Sequence, residues 1–135
     1  MSTKPETTFY TSVHRFLPPS LHREKMFNPY RGGTWDFWLS GLKSDLWIEY
    51  KWLAKIPKAA LITPDLSPKQ QHWGNSRLSE GRKLAVIVGT PEGGVRYTHG
   101  AWNYAIAPQE FRAQLMPRKE LAHWIEGITC LGWDV

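Results

Sequence analysis

Residues 45–53, DLWIEYKWL, alternate with the two-residue period of an extended strand. Asp45, Trp47, Glu49, Lys51 and Leu53 share one face, and Leu46, Ile48, Tyr50 and Trp52 share the other. Both faces are largely apolar, as in a central strand covered on two sides. Charged groups in that setting need a reason, because a buried carboxylate or ammonium costs several kcal/mol unless it is paired or bound to a metal.

The flanking sequence sets the rest of the architecture. Residues 6–16 place Phe9, Val13 and Phe16 at helical spacing, and Pro18 and Pro19 end that helix. Residues 21–28 (LHREKMFN) and 34–40 (TWDFWLS) read as strands around an NPYRGG turn, and residues 41–44 turn the chain into 45–53. Two prolines and no clean period make 54–66 a connecting loop, expected to be mobile. Ser67 caps a helix with Pro68 at its first position and Gly81 at its end. KLAVIVGT (83–90) is a continuous apolar strand that turns through PEGG into VRYTHG (95–100). The C-terminal third gives two helical pieces divided at Pro117. The expected fold is α/β: a mixed sheet of about five strands with helices on both faces.

A chain of 135 residues fits one domain, 1–135. With 41% apolar residues and no run near the ~20 a membrane span needs, a soluble, non-membrane protein is expected. The opening MSTKPETTFYTS lacks a leader pattern and Cys130 has no partner cysteine, so a reducing cytoplasm, that of a host cell if the gene is a phage's, is expected. A net charge of +5 favours a polyanionic partner, and eight Trp offer faces for stacking on bases, although most should be core.

Asp36 precedes the central strand by one short hairpin, so its carboxylate approaches Glu49 across the ladder, and Lys51 shares Glu49's face. Two adjacent carboxylates repel unless a cation separates them, and hard oxygen ligands suit Mg²⁺, with Mn²⁺ as substitute. The Tyr50 carbonyl offers a further oxygen, and Lys51 an ammonium to orient water or neutralise transition-state charge. Such a set hydrolyses phosphodiesters. The plainer alternative is a salt bridge of Glu49 with Lys43 or Lys51. Asp45, beside the Gly41 turn, suits a turn role better than a metal. His14, His22, His72, His99 and His123 have no zinc-site spacing and suit surface or core packing better, with His72, beside Gln71, a weaker candidate to touch a scissile phosphate. Arg23, Lys25, Arg31, Lys43, Arg77, Arg82 and Lys83 flank the constellation and are candidate phosphate contacts.

At these residues the chain resembles the PD-(D/E)xK nucleases. GGTWDFWLSG resembles the family's Gly-x-Pro-Asp turn, DLWIEYKWL its Glu-x-Lys strand, and LSPKQQHW the Leu-Ser-x-x-Gln helix start of VRR-NUC and phage members. KLAVIVG looks like the strand that follows, and the 13 positions from Asp36 to Glu49 are similar to those in archaeal and phage Holliday-junction resolvases. The resemblance spans about residues 6–90, with Trp35 where the family usually has Pro. It implies a restriction-endonuclease-like fold, Asp36 and Glu49 as metal ligands, Lys51 as catalytic lysine and Gln70 beside the site, with Gln71 competing. It also implies an extra acidic residue, Glu6 or else Glu24. The function so implied is a Mg²⁺-dependent endonuclease acting on branched or structured DNA as a homodimer. The alternative is an inactive nucleic-acid-binding or protein-inhibitor module on the same fold.

Overall fold

In a computed structural model, which describes residues 4–27 and 32–135, the strand at 45–52 lies in the middle of a five-stranded mixed sheet. The strands are β1 (His22–Lys25), β2 (Phe37–Ser40), β3 (Asp45–Trp52), β4 (Leu84–Thr90) and β5 (Gly93–Tyr97), in spatial order β1-β2-β3-β4-β5. Only β3 and β4 run parallel; the other neighbours are antiparallel. The parallel pair needs a crossover, supplied by the loop after β3 and helix α2 (Pro68–Ser79). Helices α1 (Pro5–His14), α3 (Pro108–Ala113) and α4 (Arg118–Leu131) complete the chain, with a short 3₁₀ turn at Ala101–Asn103.

Two apolar cores explain why both faces of β3 are greasy. Leu46, Ile48 and Tyr50 pack with Phe9 and Val13 of α1 and with Leu121, Ile125 and Ile128 of α4. On the opposite face Val86 and Val88 of β4 pack with Trp35, Trp102 and Phe111, and Trp73 of α2 joins them. β4 is buried at all seven positions, as its unbroken apolar run requires. Phe9 lies directly over the sheet at Gly89 and Gly94, where an added Cβ would come within 2.5 Å and 2.8 Å of its ring. Those two glycines let α1 dock closely. Beyond β5, Met116 exchanges two backbone hydrogen bonds with Gly94 (2.9 and 2.8 Å).

Local signals place the helix ends. Ser67 accepts from the Gln70 N–H at 3.1 Å and the Gln70 side chain accepts from the Ser67 N–H at 3.0 Å, a complete capping box with Pro68 inside it. Pro117 separates α3 from α4, and Gly132 (φ 78°) closes α4 in the left-handed conformation.

Several expectations change. The loop at 54–66 is not a loose span: Ile56 and Ile62 are buried, and Ile62 and Ile106 exchange backbone hydrogen bonds of 2.8 and 2.9 Å. Apolar side chains that pin a loop have no period to reveal them. The strand expected at 34–40 is regular only from Phe37, because Trp35 turns into the second core. Asp36 still belongs to the ladder through its carbonyl, which accepts from the Met26 N–H at 2.6 Å. The strand expected at 21–28 is paired over His22–Lys25.

His14 ends α1 against Tyr50, with a 2.8 Å hydrogen bond between Nε2 and the hydroxyl and Tyr10 and Phe37 around the ring. Burial, and secondly the Arg23 charge, lower its pKa from 6.5 to about 4. Below about 6.5 the unfolded chain takes up a proton here that the folded chain refuses, so stability is whole above that pH and falls until about 4. The loss over that window is about 3 kcal/mol at 1.36 kcal/mol per unit. Glu49, raised as described below, acts with the opposite sign, so the difference between wild type and His14→Phe in urea titrations from pH 4 to 7.5 isolates the imidazole. The curves should converge at low pH relative to neutrality; parallel curves count against a neutral buried His14.

Candidate active site

The β2–β3 hairpin builds the centre. Its register pairs Phe37 with Ile48, which brings Asp36 beside Glu49. The Asp36 N–H donates to Glu49 Oε1 at 3.1 Å, and the Tyr50 N–H lies 3.4 Å from Asp36 Oδ2. Lys51, two residues on and therefore on the same face, holds Nζ 3.4 Å from Glu49 Oε2. Gln70 enters from the first turn of α2. Its Oε1 accepts from Lys51 Nζ at 3.0 Å and its Nε2 donates to Glu49 Oε2 at 3.1 Å, so one amide holds both charges.

Gln70 is aimed there by its neighbours. Trp35 Nε1 donates to the Gln70 carbonyl at 2.9 Å, and the Trp35 ring lies where a Cβ on Gly74 would be, one turn along α2. Gln71 points elsewhere and donates to Asn103 Oδ1 at 2.9 Å, which decides between the paired glutamines.

The electrostatics are unbalanced. Glu49 is 2% exposed. Burial first and the Asp36 charge second push its pKa well above the carboxylate range, and Lys51 only partly opposes them. Glu6, in the first turn of α1, is raised too, by burial and then by Asp36, with Lys51 and Lys25 opposing. It lines a cavity of about 230 Å³ with Lys51 and Asp65. Asp36 thus raises both Glu49 and Glu6, and Lys51, Lys25 and Lys4 offset burial and that repulsion only in part. Among the described residues no three His, Cys, Asp or Glu side chains form a ready-made metal cage. Two neighbouring carboxylates, close enough for the Asp36 charge to raise Glu49, nevertheless fit a Mg²⁺-type ion, which binds through one or two carboxylates and otherwise through water and phosphate oxygens.

Of the two candidates for a further acidic residue, Glu6 lies within electrostatic reach of Asp36, and Glu24 does not meet the pair. The β1 register sets Glu24 opposite Trp38, with its side chain in solvent. Glu49 makes no bridge to Lys43, whose side chain lies against Gly132 after α4. Asp45 pairs with Ser40 at the exposed end of the hairpin, a turn position. His72 lines a separate hollow with Lys69 and Ser76.

The candidate phosphate contacts divide. Lys25 Nζ is 3.8 Å from Asp36 Oδ1 and lies over the Tyr10 and Phe37 rings, beside the centre. Arg77, Arg82 and Lys83 gather on a groove next to Trp47. Arg23 is a correction: its guanidinium donates to the carbonyls of His14 (2.9 Å) and Pro18 (2.7 Å) and ties α1 to the chain entering β1. A guanidinium spent on backbone carbonyls is a clamp, not a free phosphate ligand. Arg31 lies outside the described residues. The structure adds Asp65 and Trp35 to the surroundings of the site. Asp65 sits in the aperiodic loop, where no pattern marks it, and the mismatch at Trp35 was the only trace of its role.

Among the described residues no helix is long and apolar enough to cross a membrane. No family model and no curated protein matches the chain. Among solved structures it is similar to Archaeoglobus fulgidus Hjc, a Holliday junction resolvase from an archaeal hyperthermophile. The match has a TM-score of 0.53 and 10% sequence identity, and covers 87% of this chain and 99% of that one. The likeness is one of fold: this chain has the mixed five-stranded α/β architecture of that resolvase.

Proposed function

We propose that this chain is a Mg²⁺-dependent endonuclease of the PD-(D/E)xK type that hydrolyses phosphodiester bonds in branched or structured DNA. The observation that carries it is the contact of Asp36 with Glu49, with Lys51 beside them, in a fold shared with a junction resolvase. In this reading Asp36, Glu49 and the Tyr50 carbonyl hold the metal, with Glu6 the further acidic residue. Such an ion supplies positive charge and makes water acidic enough to attack near neutral pH.

The chain's own groups do the rest. Lys51, held by Gln70, keeps its amino group at the reacting phosphate, where the ammonium form neutralises charge and the neutral amine form takes a proton from the attacking water. Gln70 fixes the Glu49 carboxylate so that the pair does not splay apart. Lys25 stands beside Asp36 to take a phosphate oxygen of the strand. A four-way junction needs two symmetric cuts, so two chains related by a two-fold axis are the functional unit for that substrate.

The test is cleavage of a labelled synthetic junction, a flap and a linear duplex with Mg²⁺, with Mn²⁺ and with chelator. Cutting in either metal and none in chelator supports the reading. DNA that is bound but left intact under all three conditions returns the chain to a binding module.

A further inference from the structure

Along the sheet face that carries Asp36 and Glu49, the next residue pair is aromatic. Trp38 and Trp47 are direct cross-strand partners, with rings inclined by only 26° at a centroid separation of 6.3 Å. Trp73 of α2 meets Trp47 edge-on at 5.1 Å. One turn further along α2, the Arg77 guanidinium lies 5.6 Å from the Trp73 ring centre. These groups line a groove of about 730 Å³, with Arg82 and Lys83 on the same wall. Trp47 precedes Glu49 by two residues, so the groove begins about 7 Å along the strand from the carboxylate pair.

The groove is open to solvent, aromatic and positive. Trp38 belongs to neither apolar core, and Trp47 and Trp73 are only half-buried. Three cations, Arg77, Arg82 and Lys83, face two carboxylates, Asp45 and Glu80. Glu80 is engaged by Arg77 at 2.8 Å and lies 3.9 Å from Arg82. Arg77 Nε is buried with no hydrogen-bond partner among the described residues.

We propose that this groove holds one unpaired nucleotide next to the bond to be cut, its base on the tryptophans and its phosphate on Arg77, Arg82 and Lys83. Indole faces stack on any base, but only on a base that has left its duplex. A fully paired strand offers the groove phosphates alone. The groove therefore selects sites where duplex opens into single strand. This rests on the nuclease reading for the word "cut", whereas the binding preference stands apart from it.

The experiment measures anisotropy of a labelled single-stranded oligonucleotide and of a blunt duplex of the same sequence, in chelator, with wild type, Trp38→Ala, Trp38→Phe and Lys119→Ala. Trp38→Ala should weaken the single-strand complex by about tenfold or more and leave the duplex within about twofold, given the usual worth of a base stack. Trp38→Phe, which keeps a ring, should recover most of that affinity, and Lys119→Ala, exposed on α4, should leave the preference for single strand over duplex unchanged. Circular dichroism melts confirm that the variants are folded. Equal losses on both substrates, no loss, or no binding of single strand by wild type overturns the proposal. Cleavage by wild type with Mg²⁺ is read separately: selective loss without cleavage keeps the groove and sinks the enzyme, and cleavage without selective loss does the reverse.

Discussion

Glu49→Gln lowers metal-dependent cleavage by a factor on the order of 10³, the scale for losing a preorganised charged group at a reacting centre. The amide has the same shape, so the Asp36 N–H keeps an acceptor, while the charge that would draw a cation is gone. Stability should move little, because two effects oppose. Removing a carboxyl that burial and Asp36 already disfavour is a gain, and turning an amide N–H toward Gln70 Nε2 and Lys51 Nζ is a loss. Thermal melts should therefore agree within a few degrees, about 1 kcal/mol for a domain of this size. Glu24→Gln, on the same sheet face but in solvent, is the matched control and should cut at the wild-type rate. A Glu49→Gln protein that cuts as fast as wild type places the activity elsewhere.

Trp35→Ala has the largest effect on stability, a loss of about 3–5 kcal/mol. The ring is fully buried, edge-on to Trp102 at 5.0 Å and tilted against Trp73 at 5.9 Å. It fills the space left by the missing side chain of Gly74 and donates to the Gln70 carbonyl. Its loss opens a cavity and frees the first turn of α2, so Gln70 no longer holds Lys51 to Glu49. Urea unfolding measures the first consequence and the residual cleavage rate of the folded fraction the second. A loss below about 1 kcal/mol would mean that the second core closes over the gap. Gly74→Ala, which forces a methyl into the same ring, should destabilise as well.

What the chain reveals of itself follows its local chemistry. The β3 strand was readable because its period is two and both faces are apolar, and α2 because Ser67, Pro68 and Gln70 form a capping box. Asp36 could be set beside Glu49 from hairpin geometry alone, since the turn between the two strands is short. Choosing Gln70 over Gln71 needed the phase of α2 against the sheet, which depends on the Trp35–Gly74 contact. Choosing Glu6 over Glu24 needed the docking of α1, which depends on Phe9 lying over Gly89 and Gly94. Arg23 was misread for a related reason: the carbonyls it clamps converge only after α1 has turned back toward β1. Charge shows in a sequence, whereas its tertiary partners do not.

The two outermost strands of the sheet bear on how copies of this chain could join. β1 is four residues long and reads HREK, and β5 has the outward backbone groups of Gly94 occupied by Met116. Short charged strands and covered backbone both resist strand addition, the usual route to swapped or fibrous aggregates. Two copies would therefore meet through side chains and not by extending one sheet into the other. Each subunit would keep its own hydrogen-bonded ladder, so dilution to monomers should leave the individual folds standing.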